Sequence, residues 1–325
     1  MRGSSNINDQ GSFLKKIYGL LQILGVFIFI VVAMSIFFPS FRTITNFTNL
    51  LRQLSVNLIV ASGMTFIILT GEFDLSVGSV LALTAAVAGF LIKPWGIWPA
   101  CLVALLIGPL FGILNGIIVT KGRIPSFIVT LGTMMMARSL AFVVTQGKVI
   151  SDFPEKFKII GQGSIKGFPI AFLLVLVVYA IGYIVLKKTT FGKKIYAVGS
   201  DKRVAMLSGI NTDNTKIQAF IIVGFLASLA GIVMLSRLGA IQADTGKGLE
   251  FDVIAAVVIG GTSMYGGEGN ILQTIIGVLI IGLIRNFLNL SHVNIFWQDF
   301  ATGTIIIVAV LLDTIRKRVS QESKF

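Results

Sequence analysis

Residues 169–186 read Pro-Ile-Ala-Phe-Leu-Leu-Val-Leu-Val-Val-Tyr-Ala-Ile-Gly-Tyr-Ile-Val-Leu and are followed at once by Lys187-Lys188. The run carries no charged side chain, and as a helix it is long enough to cross most of a bilayer's hydrocarbon core. A single segment in lipid must satisfy its own backbone hydrogen bonds, which a helix does. The two lysines then mark a membrane–water boundary. Working outward, comparable runs bounded by charge, Pro or Gly lie near 19–38, 54–70, 77–92, 97–120, 125–145, 217–236, 251–265, 271–290 and 297–313. The predicted class is an all-α integral membrane protein with about ten transmembrane helices. The run at 251–265 is too short to cross unaided and is tolerable only as a tilted or partial helix whose ends are covered by protein or water.

Composition agrees with that class. The 325 residues are 55% hydrophobic and only 13% charged, with a mean hydropathy of +0.91. A formal charge of +13 would suit nucleic acid, but the Lys and Arg residues cluster between apolar runs, as they do at cytoplasmic loops of membrane proteins. No nucleic-acid partner is expected; the bilayer is. The first run, Gly19 to Phe38, suits a retained spanning helix better than the shorter core of a cleavable signal. Residues 1–18 read as a cytoplasmic tail, 19–315 as one transmembrane domain with a cytoplasmic loop at 188–216, and 316–325 as a basic cytoplasmic tail. Ten crossings put both termini inside, with Lys121, Arg123, Lys187, Lys188, Lys193, Lys194 and Arg316 on the cytoplasmic side. Trp95, Trp98 and Trp297 then share the outer boundary, where an interfacial belt accounts for them.

The longest internal hydrophilic stretch is Lys187 to Lys216. Within it Ser200 is placed to cap a short helix from Asp201 to about Ser208, and Gly209 to end it. Val204 and Leu207, three apart, share a face of that helix while Lys202 and Arg203 stay wet. The segment reads either as a solvated topology anchor or as an amphipathic docking helix.

The chain lacks the means to bind a nucleotide. No G-x-x-x-x-G-K-[ST] occurs, and Gly147-Lys148, Gly192-Lys193 and Gly246-Lys247 lack both the upstream glycine and the following Ser or Thr. Cys101 and His292 are the only residues of their kinds, so no zinc constellation forms, and no H-E-x-x-H or G-x-S-x-G appears. The chain reads as a transporter without its own ATPase, not as an enzyme. An ion-coupled secondary transporter stays open, since it needs only one or two intramembrane carboxylates.

Glu72 and Asp74 lie in Thr70-Gly71-Glu72-Phe73-Asp74-Leu75-Ser76-Val77-Gly78-Ser79, between the second and third runs. They are either solvated acids at a helix start or acids lining a water-filled pathway, since facing lipid would be costly. Glu250-Phe251-Asp252 opens the short eighth run in the same way. Asn57, Thr65, Asn115, Thr133, Asn286, Asn289 and Gln298 either meet a polar solute or hold helices together. With Glu72, Asp74 and Ser76, the residues Asn57, Thr65, Asn115, Thr133 and Asn289 are the pathway candidates. Arg138 and Arg285 either snorkel or pair with an acid.

Several stretches together resemble the permease subunits of bacterial monosaccharide ABC importers, the ribose permease group, which are related to branched-chain amino-acid permeases. They are Ser55-Val56-Asn57 with Gly63-Met64-Thr65, Asp74-Leu75-Ser76-Val77-Gly78-Ser79, and Pro125-Ser126-Phe127 through Leu131-Gly132-Thr133. The second half adds Thr190-Phe191-Gly192 through Tyr196-Ala197-Val198-Gly199, Ser208-Gly209-Ile210, Glu250 through Ser263, and Gly266-Gly267-Glu268-Gly269. The resemblance covers about residues 20 to 315. It departs at Gly71-Glu72-Phe73-Asp74, where the related pattern has a small or apolar residue in place of the extra acid and ring.

The resemblance implies a fold similar to the ten-helix permease of the vitamin B12 importer. It implies a homodimer, or a pair with a close paralogue, in the bacterial plasma (inner) membrane. The implied partners are cytoplasmic ABC ATPase subunits and a periplasmic or lipid-anchored sugar-binding protein. No cofactor is expected in this chain; ATP and magnesium belong to the partner ATPase. The expected cargo is a monosaccharide or similar small polyol, ribose-like or autoinducer-2. The resemblance also makes Gly192, Tyr196, Gly199, Ala205, Ser208, Gly209 and Ile210 ATPase-coupling candidates beside Val204 and Leu207.

Overall fold

The computed structural model describes residue 21 and residues 23–322. The expected tail at 1–18 and the start of the first run lie outside the described residues, as do the side chains from Arg316 onward. The chain is helical nearly throughout. After α1 (Ile23–Phe37) and a 3-10 turn at Pro39–Arg42 come α2 (Ile44–Leu69), α3 (Val77–Trp95), α4 (Ile97–Leu105), α5 (Ile107–Lys121), α6 (Ser126–Thr145) and α7 (Glu155–Gln162). They are followed by α8 (Ile170–Lys188), α9 (Thr190–Ser200), α10 (Lys202–Leu207), α11 (Thr212–Leu238), α12 (Leu249–Ile259), α13 (Ile271–Leu290) and α14 (Ile295–Glu322). Two-residue strands pair antiparallel as β1 (Ile150–Ser151) with β4 (Ala240–Ile241) and β2 (Ser164–Ile165) with β3 (Phe168–Pro169).

Among the described residues, seven helical segments are long and apolar enough to cross a membrane: α2, α3, α4 with α5, α6, α8, α11 and α13. Local chemistry sets their ends. Thr43 Oγ1 accepts from Asn46 N at 3.2 Å to open α2, and Asn211 Oδ1 accepts from Asn214 N at 2.9 Å to open α11. The run expected at 97–120 is interrupted at Leu106. Pro109 has no N–H to offer Leu105, and its ring crowds that carbonyl, so the helix restarts as α5. The eighth run is a partial helix, as its length requires: α12 has 11 residues, roughly half a bilayer at 1.5 Å per residue.

Burial separates a core from a rim. In its most apolar stretch α2 is 83% buried, whereas α6 and α8 are 28% buried. The rim exposes Phe29, Leu102, Met135, Val143, Leu176 and Ile184, an apolar exterior that suits lipid. α5 lays its small-residue face antiparallel against α11 with almost no side chain between them. A Cβ at Gly108 would strike Gly224 O, and one at Gly224 would strike Gly108 O; one at Gly116 would sit 2.9 Å from Ile217 Cα. Small residues let membrane helices approach this closely. Gly108→Val is expected to cost roughly 1–3 kcal/mol by overpacking, read as a lower melting temperature in detergent.

The two ends of the bundle differ. Lys121 at the end of α5 lies 3.8 Å from Asp213 at the start of α11, and α9 and α10 sit at this basic end. Trp95, Trp98 and Trp297, all exposed, lie on α3, α4 and α14 at the other. There α7 packs over α11, where Ser236 Oγ donates to Phe157 O at 2.6 Å and accepts from Gly161 N at 2.8 Å.

Candidate functional site

The turn between α2 and α3 brings polar groups inside the bundle. Asp74 is 2% exposed, and its Oδ1 accepts from Ser76 N at 2.8 Å and from Ser76 Oγ at 2.5 Å. Asn115 Nδ2 of α5 donates to Ser76 Oγ at 3.2 Å. Among the described residues Asn115 Oδ1 has no hydrogen-bond partner. Asn115 precedes the end of α5 at Lys121 by roughly 9 Å at 1.5 Å per residue, so the network sits inside the basic end and not on it. Phe73 N donates to Ser126 Oγ, the first residue of α6, at 3.2 Å. Glu72 is paired with Lys216 of α11. Thus Glu72, Asp74, Ser76 and Asn115 converge on one turn that touches α5, α6 and α11.

The other pathway candidates do not join them. Thr65 is fully buried, donating to Ala61 O at 2.8 Å and accepting from Thr274 Oγ1 at 2.9 Å, which ties α2 to α13. Thr133 back-bonds to Thr130 O at 3.3 Å on α6. Asn57 is half-buried on α2. Asn289 accepts from Gln298 Nε2 at 2.9 Å at the tryptophan end.

A second polar cluster surrounds the start of α12. After α11 ends at Gly239, in the left-handed conformation that commonly closes a helix, the chain turns back into the bundle without helix as far as Gly248. Arg138 Nη1 of α6 holds this segment, donating to Ala243 O at 2.6 Å and Thr245 O at 2.9 Å. Glu250 and Asp252, both buried, occupy the first turn of α12, where the helix dipole favours acids. Arg285 of α13 bonds Asp252 Oδ1 at 2.7 Å. Glu250 Oε1 accepts from Gly248 N at 3.2 Å. Its Oε2 is without a hydrogen-bond partner among the described residues, and it leaves no room for a Cβ at Gly78 of α3. Non-helical backbone followed by a half-length helix is a common way for transporters to place helix termini within the membrane. Sequence reasoning noted these acids and arginines singly and did not join them; the triplet opening an undersized run was the available signal.

At the basic end the short helix is present, one residue later than expected. Asp201, not Ser200, caps α10: its Oδ1 accepts from Arg203 N at 2.7 Å and Val204 N at 3.0 Å. Ser200 instead closes α9. A carboxylate that accepts from two helix N–H groups is a strong cap. Gly209, at φ +79°, ends α10 as expected: Gly209 N donates to Met206 O and Ile210 N to Ala205 O, both at 3.0 Å, the paired bonds of a left-handed cap. Ser208 Oγ donates to Val204 O at 2.9 Å. Ala205 faces inward, while Val204 is 58% and Leu207 90% exposed.

The α9 candidates pack against the bundle instead. Gly192 N donates to Thr189 Oγ1 at 3.2 Å, and Gly199 leaves no space for a Cβ beside Leu69 O and Gly267 N. Tyr196 donates to Gly269 O at 3.0 Å. Burial raises the Tyr196 phenol above its ordinary range, so it remains a neutral donor.

Comparison with known proteins agrees with this architecture. Residues 46–310 match the family described as "Branched-chain amino acid transport system / permease component". The chain is 43% identical over 291 residues to the ribose import permease protein RbsC of Haemophilus influenzae, covering 88% of this chain and 90% of that protein. It is 42% identical over 305 residues to RbsC of Bacillus subtilis, covering 91% and 94%. It is 36% identical over 308 residues to the autoinducer 2 import system permease protein LsrC of Yersinia pestis, covering 94% and 85%. No solved structure matches the chain. The chain is a multi-spanning helical bundle and belongs to this family of transport-system permease components.

Proposed function

We propose that this chain forms the translocation pathway for a ribose-like sugar in an ATP-binding-cassette importer, with the Asp74 turn lining that pathway near the cytoplasmic side. The observation that carries the pathway assignment is the buried, hydrogen-bonded Asp74–Ser76–Asn115 network, in a bundle whose rim is otherwise apolar. Hydroxyl-rich solutes need such acceptors and donors, and a spare acceptor stands at Asn115 Oδ1. The higher identity to the ribose permeases than to the autoinducer 2 permease favours ribose as cargo. Ten crossings, a fold like that of the vitamin B12 permease and both termini in the cytoplasm complete the reading. The chain works as one permease domain, 19–315, paired with a second copy or close paralogue. ATPase subunits dock on α10 at the basic end, and a sugar-binding protein delivers cargo at the tryptophan end.

The test is reconstitution with the cognate ATPase and sugar-binding protein in liposomes. ATP-dependent ribose uptake that needs the binding protein is expected. Uptake that persists without ATP and collapses with an ionophore would instead identify an ion-coupled transporter. Orientation has its own test. Lys156 on α7 is exposed, so with Cys101 changed to Ala, Lys156→Cys is expected to react with an impermeant maleimide in intact cells. Reaction only after lysis would reverse the topology.

A further inference from the structure

Two ion pairs tie the first turns of α11 to the rest of the bundle, and they differ in kind. Lys121–Asp213, at 3.8 Å, is open to water on both sides, with side chains 69% and 34% exposed. Glu72–Lys216 is shielded, with side chains 15% and 11% exposed. Exposed pairs are screened and contribute little. A shielded pair resists separation, because either charge left alone would remain poorly hydrated.

We infer that the Glu72–Lys216 pair is a strut that makes the Asp74 turn follow the start of α11, so that movement of α10 is transmitted to the pathway. This rests on the importer reading above. The chain of contacts is short. The cap at Gly209 and Ile210 closes α10, Asn211 opens α11 immediately afterwards, and Lys216 lies in its first turns. Across the pair, Glu72 stands two residues from Asp74, within a turn that Asp74 and Ser76 hold closed. Shifting the start of α11 without the turn would strand two shielded charges, so the state with both moved together is favoured. Glu72 is also the extra acid in Gly71-Glu72-Phe73-Asp74, where this chain departs from the related pattern of a glycine, a small or apolar residue and then Asp-Leu-Ser. Both residues act by positioning, through the turn, and neither is assigned contact with sugar.

The experiment uses the full complex in liposomes and reads sugar transported per ATP hydrolysed, alongside basal ATP hydrolysis. Glu72→Gln and Lys216→Gln are each expected to lower that ratio about tenfold, within the range of ordinary coupling energies, while basal hydrolysis continues. Exchanging the charges, Glu72→Lys with Lys216→Glu, is expected to restore it to within about twofold, as a pairwise interaction predicts. The double neutral variant Glu72→Gln with Lys216→Gln strands no charge. It is expected to assemble normally and remain uncoupled. An unchanged ratio in that double neutral variant would overturn the strut, as would an exchange variant no better than the single changes. Uptake by the unaltered complex, measured first, reports on the importer reading by itself.

Discussion

Asp74→Leu is expected to reduce sugar uptake to background, and Asp74→Asn to reduce it at least about tenfold while the complex still assembles. The two variants separate two duties of one carboxylate. Oδ1 accepts both the N–H and the hydroxyl of Ser76, and Ser76 is the residue that opens α3. Leucine removes that acceptor, and each buried group left without a partner costs roughly 1–3 kcal/mol. It therefore disturbs the turn as well as the charge. Asparagine keeps an oxygen in the same place and removes only the charge. Uptake and ATP hydrolysis measured together decide between the duties: an asparagine variant that transports normally would show that Asp74 is only a structural acceptor.

The second large effect is expected at the basic end, where Leu207→Asp should abolish co-purification of the ATPase and substrate-stimulated hydrolysis. Leu207 is 90% exposed on a six-residue helix capped at both ends. A side chain presented so openly is worth about 1.5–3 kcal/mol when a partner buries it, or roughly 10–100-fold in affinity. An aspartate there loses that contact and must also be desolvated. Insertion in the membrane should be unaffected, since Leu207 touches no spanning helix closely enough to be covered. Lys202→Ala serves as a control and should bind normally. Full stimulation by the Leu207→Asp variant would remove α10 from the coupling role.

The seven membrane-length helices among the described residues were legible because lipid imposes a length and a composition that few other constraints resemble, and a run such as 169–186 has no second reading. The short helix at 202–207 was legible for another reason: capping residues and a terminating glycine are local signals. Its cap was misplaced by one residue because Ser200 and Asp201 are both good caps, and only the geometry of the α9–α10 junction chooses between them. The break at Leu106 has a signal in Pro109, which the unbroken apolar composition of 97–120 masks. What sequence does not carry is convergence. Asn115 meets Ser76 across 39 positions, and Lys216 meets Glu72 across 144; neither spacing has a periodicity to betray it. For Thr65 and Thr133, the same residue types serve solute contact and helix packing, and their hydrogen bonds were needed to see which neighbours already engage them.

The half-length α12 has a consequence for how the protein is made. A helix of 11 residues is too short to partition into lipid from the translocon as an independent span, and the non-helical backbone before it would enter with unpaired amides. The re-entering segment that contains it is anchored by Arg138 on an earlier helix, which holds Ala243 and Thr245, and by Arg285 on a later one, which holds Asp252 of α12. Synthesis must therefore run past α13 before that segment has both partners, and until then it has to be sheltered by the insertion machinery or by the helices already placed. Biogenesis of the C-terminal third is thus a cooperative step, in which a change at Arg285 would surface as degradation of the newly made chain before it surfaced as lost transport.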